Sequence, residues 1–134
     1  MIVVDTSAIV AIALEEPEGR IFDELMVGRG AIIGTTTLFE ARMVLSSFMP
    51  TFADTFLDGL TARSSVSVSS FTLEMYRAAT DAFTRYGRGR GHPACLNFGD
   101  CLTYAVARVH GLPLLFKGND FVHTDIEPAY RPAP

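Results

Sequence analysis

The chain begins Met1-Ile2-Val3-Val4, a run of apolar, mostly β-branched residues that stops on an acid, Asp5. A strand that is apolar at every position, rather than at alternate ones, is buried on both faces. The same kind of run recurs at Ala31-Ile32-Ile33-Gly34, more briefly at Val66-Ser67-Val68, and at Leu112-Pro113-Leu114-Leu115-Phe116. Stretches with helical spacing lie between these runs. Short apolar strands alternating with helices imply an α/β fold: a mostly parallel central sheet with helices on both faces. In such sheets the carboxyl ends of the strands form the edge where ligands bind.

The helices follow from periodicity and punctuation. Ala8–Glu15 is expected to be helical, with Thr6 or Ser7 as its N-cap. A second helix spans roughly Glu18–Val27, with Ile21, Phe22 and Leu25 facing inward and Gly28 closing it. Thr35-Thr36-Thr37 caps a third that runs to about Met49, with Leu38, Ala41, Leu45 and Phe48 on one stripe. Phe52, Phe56 and Leu60 mark another over Thr51–Arg63, and Thr72 opens one to about Tyr86. The last helix opens at Asn97-Phe98-Gly99-Asp100, carries Leu102, Ala105, Val106 and Val109 on its apolar face, and stops at Gly111. A weak strand near Thr124–Ile126 and a tail over residues 127–134 close the chain. With neither a repeat nor a linker, the 134 residues read as one domain.

The net charge of −4 excludes a surface built globally to hold nucleic acid; any such contact must be local. At 49% hydrophobic residues, part of the apolar surface is expected to meet partners. Cys95 and Cys101 show no metal-ligand spacing and read as reduced thiols of a cytoplasmic protein. The uncharged run Thr6–Leu14 is too short to span a bilayer, so no membrane association is expected.

Function rests on acids. Asp5 ends the first strand, Asp120 follows the last strong one, and Asp100 and Glu40 lie in the first turns of helices. Each has an ordinary structural explanation. Asp5 caps a helix, Thr37-Leu38-Phe39-Glu40 fits a capping box, Asp100 answers a helix dipole, and Asp120 in Gly-Asn-Asp suits a turn. Taken together, all four lie at strand carboxyl ends or helix amino ends, which a parallel sheet places on one side. Carboxylates gathered there repel one another, and a hard cation such as Mg²⁺ or Mn²⁺ relieves the repulsion. His92, His110 and His123 are scattered, which argues against zinc. A carboxylate-held Mg²⁺ suits phosphoryl chemistry. Arg85, Arg88 and Arg90, on a glycine-rich loop before the last helix, would then hold phosphates of a nucleic-acid backbone. Glu15, Glu16 and Glu18 read as solvated, and Asp125 is ambiguous.

These residues resemble the PIN-domain ribonucleases, specifically the VapC-type toxins of bacterial toxin–antitoxin pairs. The matching pieces are Val3-Val4-Asp5-Thr6-Ser7-Ala8, Thr35–Glu40, Leu96-Asn97-Phe98-Gly99-Asp100, and Leu114–Phe121 with Gly118-Asn119-Asp120-Phe121. The resemblance implies a single PIN domain and a Mg²⁺-dependent endoribonuclease, with Mn²⁺ as substitute, cutting RNA by a metal-activated water. Asp5, Glu40, Asp100 and Asp120 match the family's acidic quartet. Asp5 and Asp100 would be the direct metal ligands, with Glu40 and Asp120 serving a second site or acting through water. Thr6, Ser7 and Asn97 would orient the ligands. The family further implies a VapB-type antitoxin whose C-terminal segment covers the acidic edge, and a homodimer within a larger complex. Phe22, Met26, Met43, Phe48, Phe52 and Phe56 would supply the surfaces for these contacts. Two alternatives remain beside the nuclease. One is a catalytically silent PIN-like module that binds RNA or protein. The other is a phosphoacceptor receiver, disfavoured because Val66-Ser67-Val68 leads to serines and not to an aspartate.

Overall fold

The computed structural model describes residues 1–133; Pro134, the end of the expected tail, lies outside the described residues. Strand β1 (Ile2–Val4) is buried at all of its residues. It pairs in parallel with β2 (Ala31–Gly34) on one side and with β4 (Leu114–Leu115) on the other. β3 (Val66–Ser69) continues the parallel sheet beyond β2, giving the order β3-β2-β1-β4. Val3 stands opposite both Ile32 and Leu114. The fully apolar run is thus explained: β1 is central and covered twice.

The two faces have separate cores. Ile2 and Val4 point to one, with Ile33 and Leu115, beneath α1 (Thr6–Ala13), α2 (Gly19–Arg29), α3 (Thr35–Ser46) and α4 (Ala53–Thr61). Val3, Ile32 and Leu114 point to the other, beneath α5 (Leu73–Tyr86) and α6 (Phe98–His110). Alternate residues of one strand feed opposite cores because side chains alternate across a pleated strand. No helix among the described residues is long and apolar enough to cross a membrane.

Several local expectations change. The first helix starts at Thr6 because the Asp5 side chain caps it by accepting from the Ser7 N–H; Thr6 and Ser7 are inside the first turn. α2 runs through Gly28 and closes at Gly30, whose φ of +79° is the left-handed backbone that glycine tolerates. On that helix Phe22 and Met26 are buried, whereas Ile21 turns outward. α3 ends at Ser46, so Phe48 leaves the expected stripe and lies exposed, as does Phe52 just before α4. Thr124–Ile126 forms no strand. The chain instead passes through a 3₁₀ turn at Phe121–His123 and returns to the sheet at Pro128, which bridges to Leu114. Leu114 donates to the Glu127 carbonyl at 2.9 Å and accepts from the Ala129 N–H at 2.8 Å. Tyr130 then meets Phe22 edge-on at 5.4 Å.

Candidate functional site

The strand order reverses at β1: β2 follows it in sequence on one side and β4 joins it on the other. A crevice opens at the carboxyl ends of strands around such a switch point. Here a cleft of about 390 Å³ lies there, lined by Asp5, Thr6, Ser7, Glu16, Glu40, Asp100, Lys117 and Asp120 among others. Asp5 leaves the end of β1, Glu40 comes from the second turn of α3, Asp100 from the first turn of α6, and Asp120 from the segment after β4. All four sequence-derived carboxylates therefore share one cleft.

Three of the four are oriented by a neighbour. Asp5 Oδ2 accepts from the Ser7 N–H at 3.1 Å and from the Ser7 hydroxyl at 2.7 Å. The Ser7 oxygen in turn accepts the Lys117 N–H at 2.9 Å, tying the end of β1 to the chain after β4. Thr6 donates its hydroxyl to Glu40 Oε1 at 2.5 Å. The capping box expected at Thr37 and Glu40 does not form: α3 is entered from Gly34 with no side-chain cap. Thr37 instead shares a buried 3.0 Å hydrogen bond with Thr103. The box is found at the other acid. Asn97 Oδ1 accepts the Asp100 N–H at 2.8 Å, and Asp100 Oδ2 accepts the Asn97 N–H at 3.1 Å. Structural capping and candidate chemistry thus use the same carboxylate.

Gly99 plays a different part from the backbone freedom its sequence context suggests. Its φ is not in the left-handed region. A Cβ there would come within 2.7 Å of Glu40 Cδ and closer still to Glu40 Oε2. Gly99 is small so that α6 and Glu40 can meet.

Electrostatics follow from the crowding. Burial pushes the Asp5 carboxyl above its ordinary value, and Glu40 adds to this, against the lowering effect of the Ser7 bonds. Burial also raises Asp100, to about 6, with further pushes from Asp5, Asp120 and Glu40. Ser7 holds one oxygen of Asp5, and Asn97 holds one oxygen of Asp100. Such a set suits a hard cation, which draws on carboxylate oxygens. Among the described residues no three acidic, His or Cys side chains stand ready as a closed ligand group. Asp5 and Asp100 would supply the one or two carboxylates through which a protein usually binds Mg²⁺.

Three cleft features escaped the sequence. Glu16, read as solvated, lines the cleft and pairs with Lys117 at 3.0 Å, and Glu18 joins the same lysine at 3.2 Å. Lys117 follows β4 by two residues, and that position was the available signal. Thr103, on the face of α6 one turn beyond Asp100, is fully buried and hydrogen-bonds toward Asp5, lowering its carboxyl.

The arginines are not all free. Arg85 lies on α5, not on a loop, and pairs with Asp81 at 3.3 Å and Asp125 at 3.6 Å. Arg90 stacks on the Phe83 ring at 5.0 Å. Arg88 borders an apolar groove with Phe83, Asn97 and Phe98. None of the three lines the acidic cleft. Asp125 is also outside it. It accepts from the Tyr104 hydroxyl at 2.6 Å and pairs with Arg108 at 2.9 Å. Burial raises the Asp125 carboxyl, but Tyr104, Arg85 and Arg108 outweigh it and leave it below the ordinary value.

The model of the PIN domain matches residues 2–127. Ribonuclease VapC36 of Mycobacterium tuberculosis is 42% identical over 127 residues, covering 93% of this chain and 91% of that protein. Ribonuclease VapC28 of the same organism is 38% identical, covering 95% and 96%. Among solved structures, VapC20 of Mycobacterium tuberculosis, described as a Sarcin-Ricin loop cleaving toxin, superposes with a TM-score of 0.72 at 18% identity, covering 96% of this chain and all of that one. VapBC2 from Rickettsia felis superposes at 0.75 and 17%, covering 96% and 97%. The chain belongs to the PIN-domain family, and its relatives within it are VapC ribonucleases.

Proposed function

We propose that this chain is the toxic component of a toxin–antitoxin pair and acts as a Mg²⁺-dependent endoribonuclease. The observation that carries the reading is the convergence of Asp5, Glu40, Asp100 and Asp120, from four separate segments, on one cleft at the sheet's switch point. Buried carboxylates gathered this closely, with Asp100 raised to about 6, are costly without a cation. Asp5 and Asp100 would hold Mg²⁺, or Mn²⁺ in its place, with Glu40 and Asp120 beside them. When bound, the ion supplies charge neutralisation at the phosphate oxygens and lowers the pKa of a water at neutral pH.

The protein's own groups do the rest. Ser7 fixes one oxygen of Asp5 and Asn97 one oxygen of Asp100, which sets the orientation of both carboxyl groups. Thr6 does the same for Glu40 Oε1, while Oε2 lies against Gly99. Asp120, exposed and lining the cleft, would accept a proton during hydrolysis. Lys117 on the cleft wall is paired with Glu16 and Glu18. Because water attacks, the 2′-OH is not consumed and the product carries a 5′-phosphate.

A VapB-type antitoxin is the proposed partner, within a larger complex that contains a toxin homodimer. The cytoplasm, where two free thiols stay reduced, is the proposed place of action. Phe39, Met43, Phe48, Phe52 and Phe98 are each more than half exposed, which supports partner surfaces along α3, α4 and the start of α6. Phe22 and Met26, expected in the same role, are core residues.

The test is cleavage of a mixed cellular RNA pool with Mg²⁺, with Mn²⁺ and with EDTA, followed by sequencing of 5′-monophosphate ends. Discrete new ends that vanish with EDTA and with Asp100→Asn support the nuclease. A silent binding module predicts no new ends and Mn²⁺ binding, by calorimetry, that is absent or unchanged in Asp5→Asn.

A further inference from the structure

Asp120 is the only member of the acidic quartet that stands in an irregular segment. Asp5 is fixed as the N-cap of α1 directly after β1, and Glu40 and Asp100 by helices. Residues 117–120 are exposed, and Gly118 has a φ of +103°. Something else must hold Asp120 in register with Asp100. Phe121 supplies part of it: its ring is buried beside Phe116 at 5.2 Å. A polar anchor follows within one turn. The Thr124 hydroxyl donates to the Phe121 carbonyl at 2.7 Å and its oxygen accepts the Ile126 N–H at 3.3 Å, folding the chain so that Asp125 turns toward α6. There Tyr104 donates to Oδ1 at 2.6 Å while Arg108 donates to Oδ2 at 2.9 Å. Tyr104 and Arg108 lie one and two turns beyond Asp100 on the same helix. Arg85 reaches the same carboxylate from α5, 3.6 Å away, and also donates to the Tyr86 hydroxyl at 2.7 Å.

We propose that Asp125 is a positioning residue: by joining the Asp120 segment to Tyr104 and Arg108 of the Asp100 helix, it fixes the spacing between those two cleft carboxylates. A charge-assisted, two-oxygen anchor has the directionality that an apolar plug such as Phe121 lacks. Its effect on the reaction rests on the nuclease reading above; its effect on the segment does not.

The experiment uses the full chain as wild type, Asp125→Ala, Asp120→Asn and the double variant. RNA cleavage with Mg²⁺ gives kcat and KM, and hydrogen exchange without metal reads the amides of 117–124. If Asp125 acts through Asp120, Asp125→Ala lowers kcat about tenfold with KM little changed, a loss on the scale of a misplaced catalytic group. It also speeds exchange in 117–124 while β1 and β2 stay protected. In the Asp120→Asn background the same substitution has no further effect on kcat, because the groups act as one unit. Asp125→Asn, which keeps an acceptor for the Tyr104 hydroxyl, recovers part of the loss. The proposal is overturned if kcat falls equally in both backgrounds, or if 117–124 keeps wild-type protection in Asp125→Ala. Should wild type cut no RNA, the nuclease reading has failed and the exchange measurement alone decides the anchor. It also decides if Asp120→Asn leaves too little rate to compare.

Discussion

The Thr6 hydroxyl lies 2.5 Å from Glu40 Oε1, linking the first turn of α1 to α3 across the cleft. Thr6 is buried and cannot turn to solvent for another partner. Thr6→Val keeps the shape and removes the donor. Cleavage is expected to fall about tenfold, the scale of one lost orienting hydrogen bond of 1–1.5 kcal/mol. Thermal unfolding should show an intact, cooperative fold. An unchanged kcat would remove Thr6 from the machinery.

Gly99→Ala separates two readings of this glycine. In an ordinary helical turn the change would stabilise by about 0.5–1 kcal/mol. Here the new Cβ meets Glu40 Cδ at 2.7 Å, so α6 or Glu40 must shift. The expected sign is therefore reversed: a lower Tm, with overpacking costing about 1–3 kcal/mol, and a loss of cleavage. Urea unfolding of the two proteins decides the sign.

Asp100 makes stability depend on pH in an unusual direction. Its carboxyl is raised from 3.8 to about 6 in the folded chain. The folded state thus holds the proton more tightly, and the associated stability is present below pH 3.8 and lost as pH rises through 6. At neutral pH without metal the loss is about 3 kcal/mol. Asp125, held below its ordinary value, shifts stability the other way, so the measurement is a comparison with Asp100→Asn. Metal-free wild type should fall behind that variant between pH 4 and pH 7, while the variant cuts no RNA. Parallel pH profiles would contradict the crowded-carboxylate picture.

Much of this was legible from residue order alone. The fully apolar β1 implies a central strand, and the strand-end rule brings Asp5, Glu40, Asp100 and Asp120 to one edge from the sequence alone. What pattern reasoning missed depends on contacts distant in sequence. A capping box is a local motif, so Thr37 and Glu40 looked as eligible as Asn97 and Asp100. What decided between them was Thr6 and Thr103, which reach α3 from elsewhere in the chain. The role of Gly99 likewise requires Glu40 as a neighbour across 59 positions of sequence. Arg85 looked like loop because glycines follow it, yet α5 continues to Tyr86 and commits the guanidinium to Asp81 and Asp125.

Metal should act as a stabiliser. An ion that binds only the folded chain adds about 2.7 kcal/mol at a hundredfold excess over its Kd. Addition of Mn²⁺ to EDTA-treated protein at pH 7 should therefore raise Tm by several degrees. The gain should shrink at pH 5, where Asp100 is protonated, and disappear in Asp5→Asn. A rise that survives in Asp5→Asn would place the ion elsewhere.

The parallel order β3-β2-β1-β4 has a consequence for the order in which the acidic cleft is assembled. Among the described elements β1 comes earliest in the chain, but its second neighbour, β4, and Asp120 beyond it come after every other strand and α-helix. A chain stalled or truncated before β4 has its central strand exposed along one edge and lacks the fourth carboxylate. Closing the sheet and completing the acidic quartet are therefore the same event.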